Sequence, residues 1–315
     1  TRSGKGSTPV AMEATIGWMW ITDMLQERGL EVHLAHPPGV RLIAQSRLKT
    51  DRVDARVLAQ LLRTGFLPEA YLAPPQVRDH RMLLRHRLLL VKNRTIFKNK
   101  VHAVLARHNV QLHLSDIFGV SGTETLRQLA LPKHSKRILD GLLDCIEFLN
   151  RQILDLQNYL YRVLKADPRI EWLTSIPGIG KLTAHYLLGE IGEVGCFPSA
   201  KKLVSYAGLC PSTRRSANTL WHGPTGPAGR SLMKWALVEA THVAIRHDSY
   251  FASVFHNVKG RKCKQKAYIA AARKMAQVIW HILREQRPYQ RRHERPRVGS
   301  ISCVAAEQLK GAPTC

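Results

Sequence analysis

Two stretches near the middle of the chain, each more than thirty residues long, carry helical periodicity with few glycines. They are "VRDHRMLLRHRLLLVKNRTIFKNKVHAVLARHN" from residue 77 and "HSKRILDGLLDCIEFLNRQILDLQNYLYRVLKAD" from residue 134. A helix of that length spans about 50 Å and must bury its apolar stripe along a partner. With a connecting loop around 110 to 133, the spacing predicts an antiparallel helical hairpin. The rest of the chain is then left with a small N-terminal part and a larger C-terminal one.

Charge restricts the partner. Lys and Arg number 48 against 23 Asp and Glu, a formal charge of +25 in 315 residues. Such an excess points to a polyanion, because each phosphate contact releases counterions. Between residues 78 and 107 nine cations face one acid, Asp79. A charge run on a helix is either a solvated face or a nucleic-acid-facing arm; if about six of these cations met phosphates, affinity would fall about a thousandfold between 50 and 200 mM salt. No apolar run approaches the ~18 residues of a membrane span. The polar opening "TRSGKGSTP" has no signal-peptide core, and the six cysteines are scattered without a C-x-x-C pair, so zinc and a disulfide framework are not expected. A cytoplasmic setting follows.

Residues 9–36 read as strand, helix, strand: "PVAMEA", ending near Glu13, then "WMWITDMLQERG", then "LEVHLAH". A further helix follows in "RLKTDRVDARVLAQLLRTG". Advancing ~100° per residue groups Val53, Val57, Leu58, Leu61 and Leu62 in one stripe, and Asp51 and Asp54 fall inside it. Thr50 is a natural N-cap, and acids in a first turn suit the helix dipole. Capping explains the acids without placing them on a buried face; a metal-binding acidic pair explains the face.

The second globular part opens with "IEWLTSIPGIGKLTAHYLLGEIGEV". A Pro-Gly-x-Gly turn between two short helical patterns is the signature of a helix-hairpin-helix. Gly178, Gly180 and Lys181 would there approach a phosphate at a helix N-terminus, unless the turn only joins the helices. A P-loop is excluded by Ser175 in place of Gly and by Leu182 after Lys181. Residues 208–231, rich in Gly, Pro, Ser and Thr, read as a long loop between helices. It sets Ser212, Thr213, Ser216, Thr219 and Thr225 among Arg214, Arg215, His222 and Arg230. Hydroxyls beside arginines suit phosphoryl transfer by a serine nucleophile, and equally a phosphate-binding or solvated loop. "KGRKCKQKAYIAAARKMAQVIWHILREQRPY" gives an amphipathic helix, and residues 291–315 read as a disordered tail.

Taken together and in order, "VAMEATIG", "RLKTDRVDARVLAQLL", "IPGIGKLTA", "FPSAKKLVSYAGLCPSTRRS" and "GRSLMKWALVEAT" resemble the DEDD-type insertion-sequence transposases. That group includes Piv/MooV-like DNA invertases and bridge-RNA-guided recombinases. The resemblance covers roughly residues 9 to 290. It implies a mainly α chain with a small α/β part: a truncated RuvC-like (RNase H-type) domain over 1–75, a coiled-coil arm over 76–168, and a transposase domain with a helix-hairpin-helix over 169–290.

The resemblance also implies a catalytic set. Four acids in the family hold a divalent metal such as Mg²⁺; Glu13 matches the second, Asp51 and Asp54 the third and fourth. Ser216 matches the family's serine, with Ala217 where a glycine usually follows, and Ser212 is the runner-up. By analogy the serine attacks a DNA phosphodiester and holds it as a phosphoserine link while strands exchange, with Arg214 or Arg215 at the phosphoryl group. A homo-oligomer and a guide RNA are implied as partners. None of the twelve residues before Glu13 is acidic, so the family's first aspartate has no match. An N-terminally truncated, weakly active or inactive transposase is the expectation. A non-catalytic DNA- or RNA-binding protein derived from such an element is the alternative.

Overall fold

The structure, a computed structural model, describes residues 8–43, 50–163, 167–216, 219–225 and 230–291, with the backbone path alone at 213–216, 219–222 and 224. The chain divides into two compact units, residues 1–75 and 76–315.

In the first unit, β1 (Pro9–Glu13) pairs in parallel with β2 (Glu31–Ala35), from Pro9 opposite Glu31 to Glu13 opposite Ala35. Parallel strands need a crossover, and α1 (Trp18–Glu27) supplies it, entered through Gly17 at φ +82°. After α2 (Pro37–Ile43) comes α3 (Asp51–Arg63), which packs on β1. Thr50 caps α3 as its sequence suggests, its Oγ1 accepting the Val53 N–H at 3.3 Å. The apolar stripe of α3 is half-buried throughout, as the periodicity requires.

The second unit begins with the arm. α4 (Pro75–Arg107) and α6 (Lys133–Val163) run antiparallel, with α5 (Val120–Gln128) between them in sequence. Leu84 packs near Leu160, Arg87 bonds Gln157 and Arg94 bonds Asn150, so the partners descend on α6 as they ascend on α4. Val101 and Leu105 close the other end against Leu126, Leu139 and Leu143.

Beyond the arm, α7 (Pro168–Thr174), α8 (Lys181–Ile191), α9 (Ala200–Tyr206), α10 (Ser231–His247), α11 (Ser249–Lys259) and α12 (Lys264–Glu285) form a helical core. Its centre is α12, whose Ala271, Ala272, Met275, Ala276 and Ile279 are fully buried. The small residues let neighbouring helices approach closely. Every residue of α8 from Ala184 to Ile191 is buried. Among the described residues no helix is long and apolar enough to cross a membrane.

One element departs from the sequence expectation. Residues 208–231 are not simply a loop: β3 (Pro211–Ser216) and β4 (Thr219–Thr225) form an antiparallel hairpin. Its strands are short and rich in Arg, Ser and Thr. A register shift between Pro211 and Thr213 breaks the alternation that marks a strand. The expected disordered tail lies, from residue 292 on, outside the described residues.

Candidate nucleic-acid-processing site

In the first unit the acids sit where strand and helix end. Glu13 is the last residue of β1, and Asp51 and Asp54 belong to the first turn of α3. Glu13 and Asp54 are half-buried, but Asp51 is exposed. The helical wheel put Asp51 inside the stripe; as the first helical residue, with its Cβ tilted toward the N-terminus, it reaches past the packed face. Among the described residues no three His, Cys, Asp or Glu side chains gather closely enough to hold an ion. The expected Mg²⁺ ligand set of Glu13, Asp51 and Asp54 is therefore not assembled as a cage in this arrangement, where one ion needs its oxygens within ~2.0–2.6 Å.

The glycine turn joins α7 to α8, and its two glycines serve different ends. Gly178 has φ +91°, and a Cβ there would stand 2.2 Å from the carbonyl oxygen of Ala240 on α10. Gly178 is therefore needed for close packing on α10. Gly180 precedes the first residue of α8, with open space where a Cβ would be. Gly180 and Lys181 are both exposed. Gly180 is the more exposed of the two glycines, Gly178 being half-buried.

The hairpin places the two candidate serines at opposite ends. Ser216 pairs with Thr219 at the tip, and Ser212 lies in the irregular base beside Pro211, which pairs with Thr225. Ser212 is exposed. The side chains of Ser216, Arg214 and Arg215 lie outside the described residues. The hairpin's return is tied down at its base: Lys234 Nζ donates to Thr225 Oγ1 at 2.8 Å, and the Arg230 N–H donates to the Tyr206 carbonyl at 3.1 Å.

Sequence reasoning missed what anchors this base. Glu190 lies on α8 with its side chain 2 % exposed. Arg85 of α4 grips it, Nη2 donating to Oε1 at 2.9 Å and to Oε2 at 3.2 Å, and Nε to Oε1 at 3.1 Å. Arg81 and Arg230 bring their Nε atoms within 3.9 and 3.7 Å of Oε2. Arg81 also donates to the Gly189 carbonyl at 3.0 Å, and burial pulls its guanidinium below the usual value. Tyr206 joins the set: its hydroxyl donates to the Glu190 carbonyl at 3.1 Å and accepts from Arg230 Nε at 2.9 Å. A buried carboxylate gripped in this way fixes geometry more than it adds stability. The signal in the sequence was one acid inside the apolar run "YLLGEI".

These contacts change the reading of the basic arm. Arg78 and Arg81 are buried, Arg85 holds Glu190, Arg87 bonds Tyr186 and Gln157, and Arg94 bonds Asn150. Five of the nine cations are thus engaged within the fold. Lys92, Lys100 and Arg107 are exposed, and Lys98 lies over the Phe118 ring at 4.5 Å.

Comparison with known proteins covers both units. Residues 2–110 match a transposase family model of the DEDD IS110 type, and residues 170–256 match the transposase IS116/IS110/IS902 family. The chain is 25 % identical to a transposase for insertion sequence element IS1111A of Coxiella burnetii, over 89 % of this chain and 79 % of that protein. It is 28 % identical to a pilin gene-inverting protein of Moraxella lacunata, over 84 % of this chain and 76 % of its relative. To the transposase for insertion sequence element IS1328 of Yersinia enterocolitica it is 25 % identical, over 87 % and 83 %. With one model on the βαβ unit and the arm's first helix, and the other on the core that carries the hairpin, the chain belongs to the IS110-type transposase and recombinase family.

Proposed function

We propose that this chain cuts and rejoins DNA as the site-specific recombinase of an insertion sequence, with Ser216 as the attacking hydroxyl. The observation that carries the reading is the β3–β4 hairpin: a serine-bearing ribbon in the family-matched region, held at its base by Arg230, Tyr206 and Lys234. In the step proposed, Ser216 Oγ bonds to phosphorus as the bond to one deoxyribose oxygen breaks. The hydroxyl proton ends on the released sugar oxygen. One ester replaces another, so the reverse attack rejoins strands without an energy source. A serine hydroxyl is a weak nucleophile at neutral pH, and cations at the phosphoryl oxygens favour the attack; Arg214 and Arg215, which immediately precede Ser216 on β3, are proposed for that role.

The finer parts of the reading go with it. α7 and α8 are taken as a helix-hairpin-helix that contacts the DNA backbone through Gly180 and Lys181, and the βαβ unit as part of a RuvC-like domain. A guide RNA and a second copy of the chain come from the family resemblance, and a cytoplasmic location from the scattered cysteines and the polar opening. Glu13, Asp51 and Asp54 do not form a metal cage as placed, and no part of the serine step is assigned to them.

The test is a covalent adduct. The full chain is incubated with duplex DNA carrying its element's ends, with Mg²⁺ in the buffer, and resolved under denaturing conditions. The adduct should vanish in Ser216→Ala and persist in Ser212→Ala; the reverse pattern moves the nucleophile to Ser212. Cleavage that survives both changes but is lost in Asp54→Asn makes water the nucleophile. Salt-sensitive DNA binding with no cleavage by the wild type supports the non-catalytic alternative.

A further inference from the structure

Beside the anchor of the hairpin lies a cleft of about 410 Å³, lined by Arg85, Leu88, Lys92, Glu190, Arg230 and Ser231 among others. Its charges do not balance. Arg85, Arg230 and Arg81 surround a single carboxylate, Glu190, which among the described residues is the only acid lining the cleft. Lys92, exposed and also lining the cleft, adds a fourth cation about two turns along α4 from Arg85. One buried carboxylate needs one well-placed cation. Holding more positive charge around it is unfavourable unless an anion compensates.

We infer that this cleft is a clamp for one backbone phosphate of the bound DNA, formed by Lys92 and Arg230, with Arg85 shared between phosphate and Glu190. The inference rests on the DNA-acting reading above and names a contact that reading does not contain. Glu190 is its positioning residue: it fixes Arg85 and draws in Arg230, so that both cations are ordered before DNA arrives. Arg230 is well suited to two duties, since its guanidinium has five donors and spends one on Tyr206.

The clamped phosphate is not the one that reacts. Arg230 and Lys234 hold the base of the hairpin, and Ser216 stands five residues up β3 from Pro211, roughly 16 Å at ~3.3 Å per residue. The clamp therefore sets where the DNA lies relative to the hairpin, and its loss weakens binding before it touches chemistry.

The experiment measures the affinity of the full chain for a short duplex DNA across salt concentrations. The double variant Lys92→Gln/Arg230→Gln should weaken binding about tenfold at moderate salt and lower the slope of log K against log salt by about one. Lys92→Gln alone, an exposed position that leaves the Glu190 anchor intact, should weaken binding in the same direction and guards against misfolding of the double variant. Wild-type binding with an unchanged slope and affinity in both variants overturns the clamp. Wild-type protein without salt-sensitive binding instead overturns the DNA-acting reading itself.

Discussion

His185 shows how one side chain in this fold becomes a pH sensor of stability. It lies on α8 with 3 % of its surface exposed, its ring 6.1 Å from that of His80 on α4 and 5.7 Å from that of Tyr161 on α6. Burial first, and then repulsion from His80, pull its pKa from 6.5 down to about 4, against a smaller pull upward from Asp167. His80 is lowered as well, again chiefly by burial. The sign follows from proton counting. Between about pH 6.5 and pH 4 the unfolded chain carries a proton on this histidine and the folded chain does not, so stability is full above that window and is lost as pH falls through it. A shift of that size corresponds to at most about 3 kcal/mol. Urea unfolding followed from pH 7 to pH 4 should show the loss, and His185→Phe, which keeps an aromatic ring without the titration, should flatten it. Equal pH slopes in the two proteins would remove His185 as the cause.

Among the elements, the α7–α8 turn sets a packed glycine and an exposed one within three residues. Gly178→Ala sets a methyl group against the Ala240 carbonyl, and both the oxygen and the left-handed backbone belong to groups that cannot rotate away. The expected loss is about 3 kcal/mol in urea unfolding. Gly180→Ala meets nothing and should stay within about 1 kcal/mol, leaving its effect to be read in DNA affinity. The sequence showed the turn and both helices, because a Pro-Gly-x-Gly break between apolar patterns is local information. It could not say which glycine faces a neighbour, because Ala240 comes sixty residues later. The long arm helices and the βαβ order were legible for the same local reason. The β3–β4 hairpin was not, since strands of six and seven residues with a bulge and few large apolar side chains carry almost no period. Of the acids on α3, Asp54, which the period sets within the apolar stripe, is half-buried like that stripe. Asp51 is exposed, which the period missed because a wheel treats the first residue of a helix as if the face continued beyond it.

Across the whole molecule, net charge overstates what DNA can feel. Composition counts nine cations on α4, but Arg78 and Arg81 are buried, Arg87 and Arg94 are bonded to α6 or α8 side chains, and Arg85, held by Glu190, shares the phosphate of Lys92 and adds no further contact. A guanidinium already committed to a protein acceptor releases few counterions when DNA binds. Lys92, Lys98, Lys100 and Arg107 remain, with Lys98 lowered by burial and by neighbouring Arg94. About four phosphate contacts give the arm a slope near −3.6 and a loss of about 150-fold between 50 and 200 mM salt, against about a thousandfold or more for six. The measurement is a salt titration of DNA affinity in two sets of variants. Changing Lys92, Lys98, Lys100 and Arg107 together to Gln should flatten the slope by about three to four. Arg87→Gln should leave the slope unchanged and lower stability instead, since it strips the Tyr186 hydroxyl and the Gln157 amide of their shared partner. If Arg87→Gln flattens the slope as much as a lysine change does, the inner arginines leave the fold to meet DNA, and the arm must open when it binds.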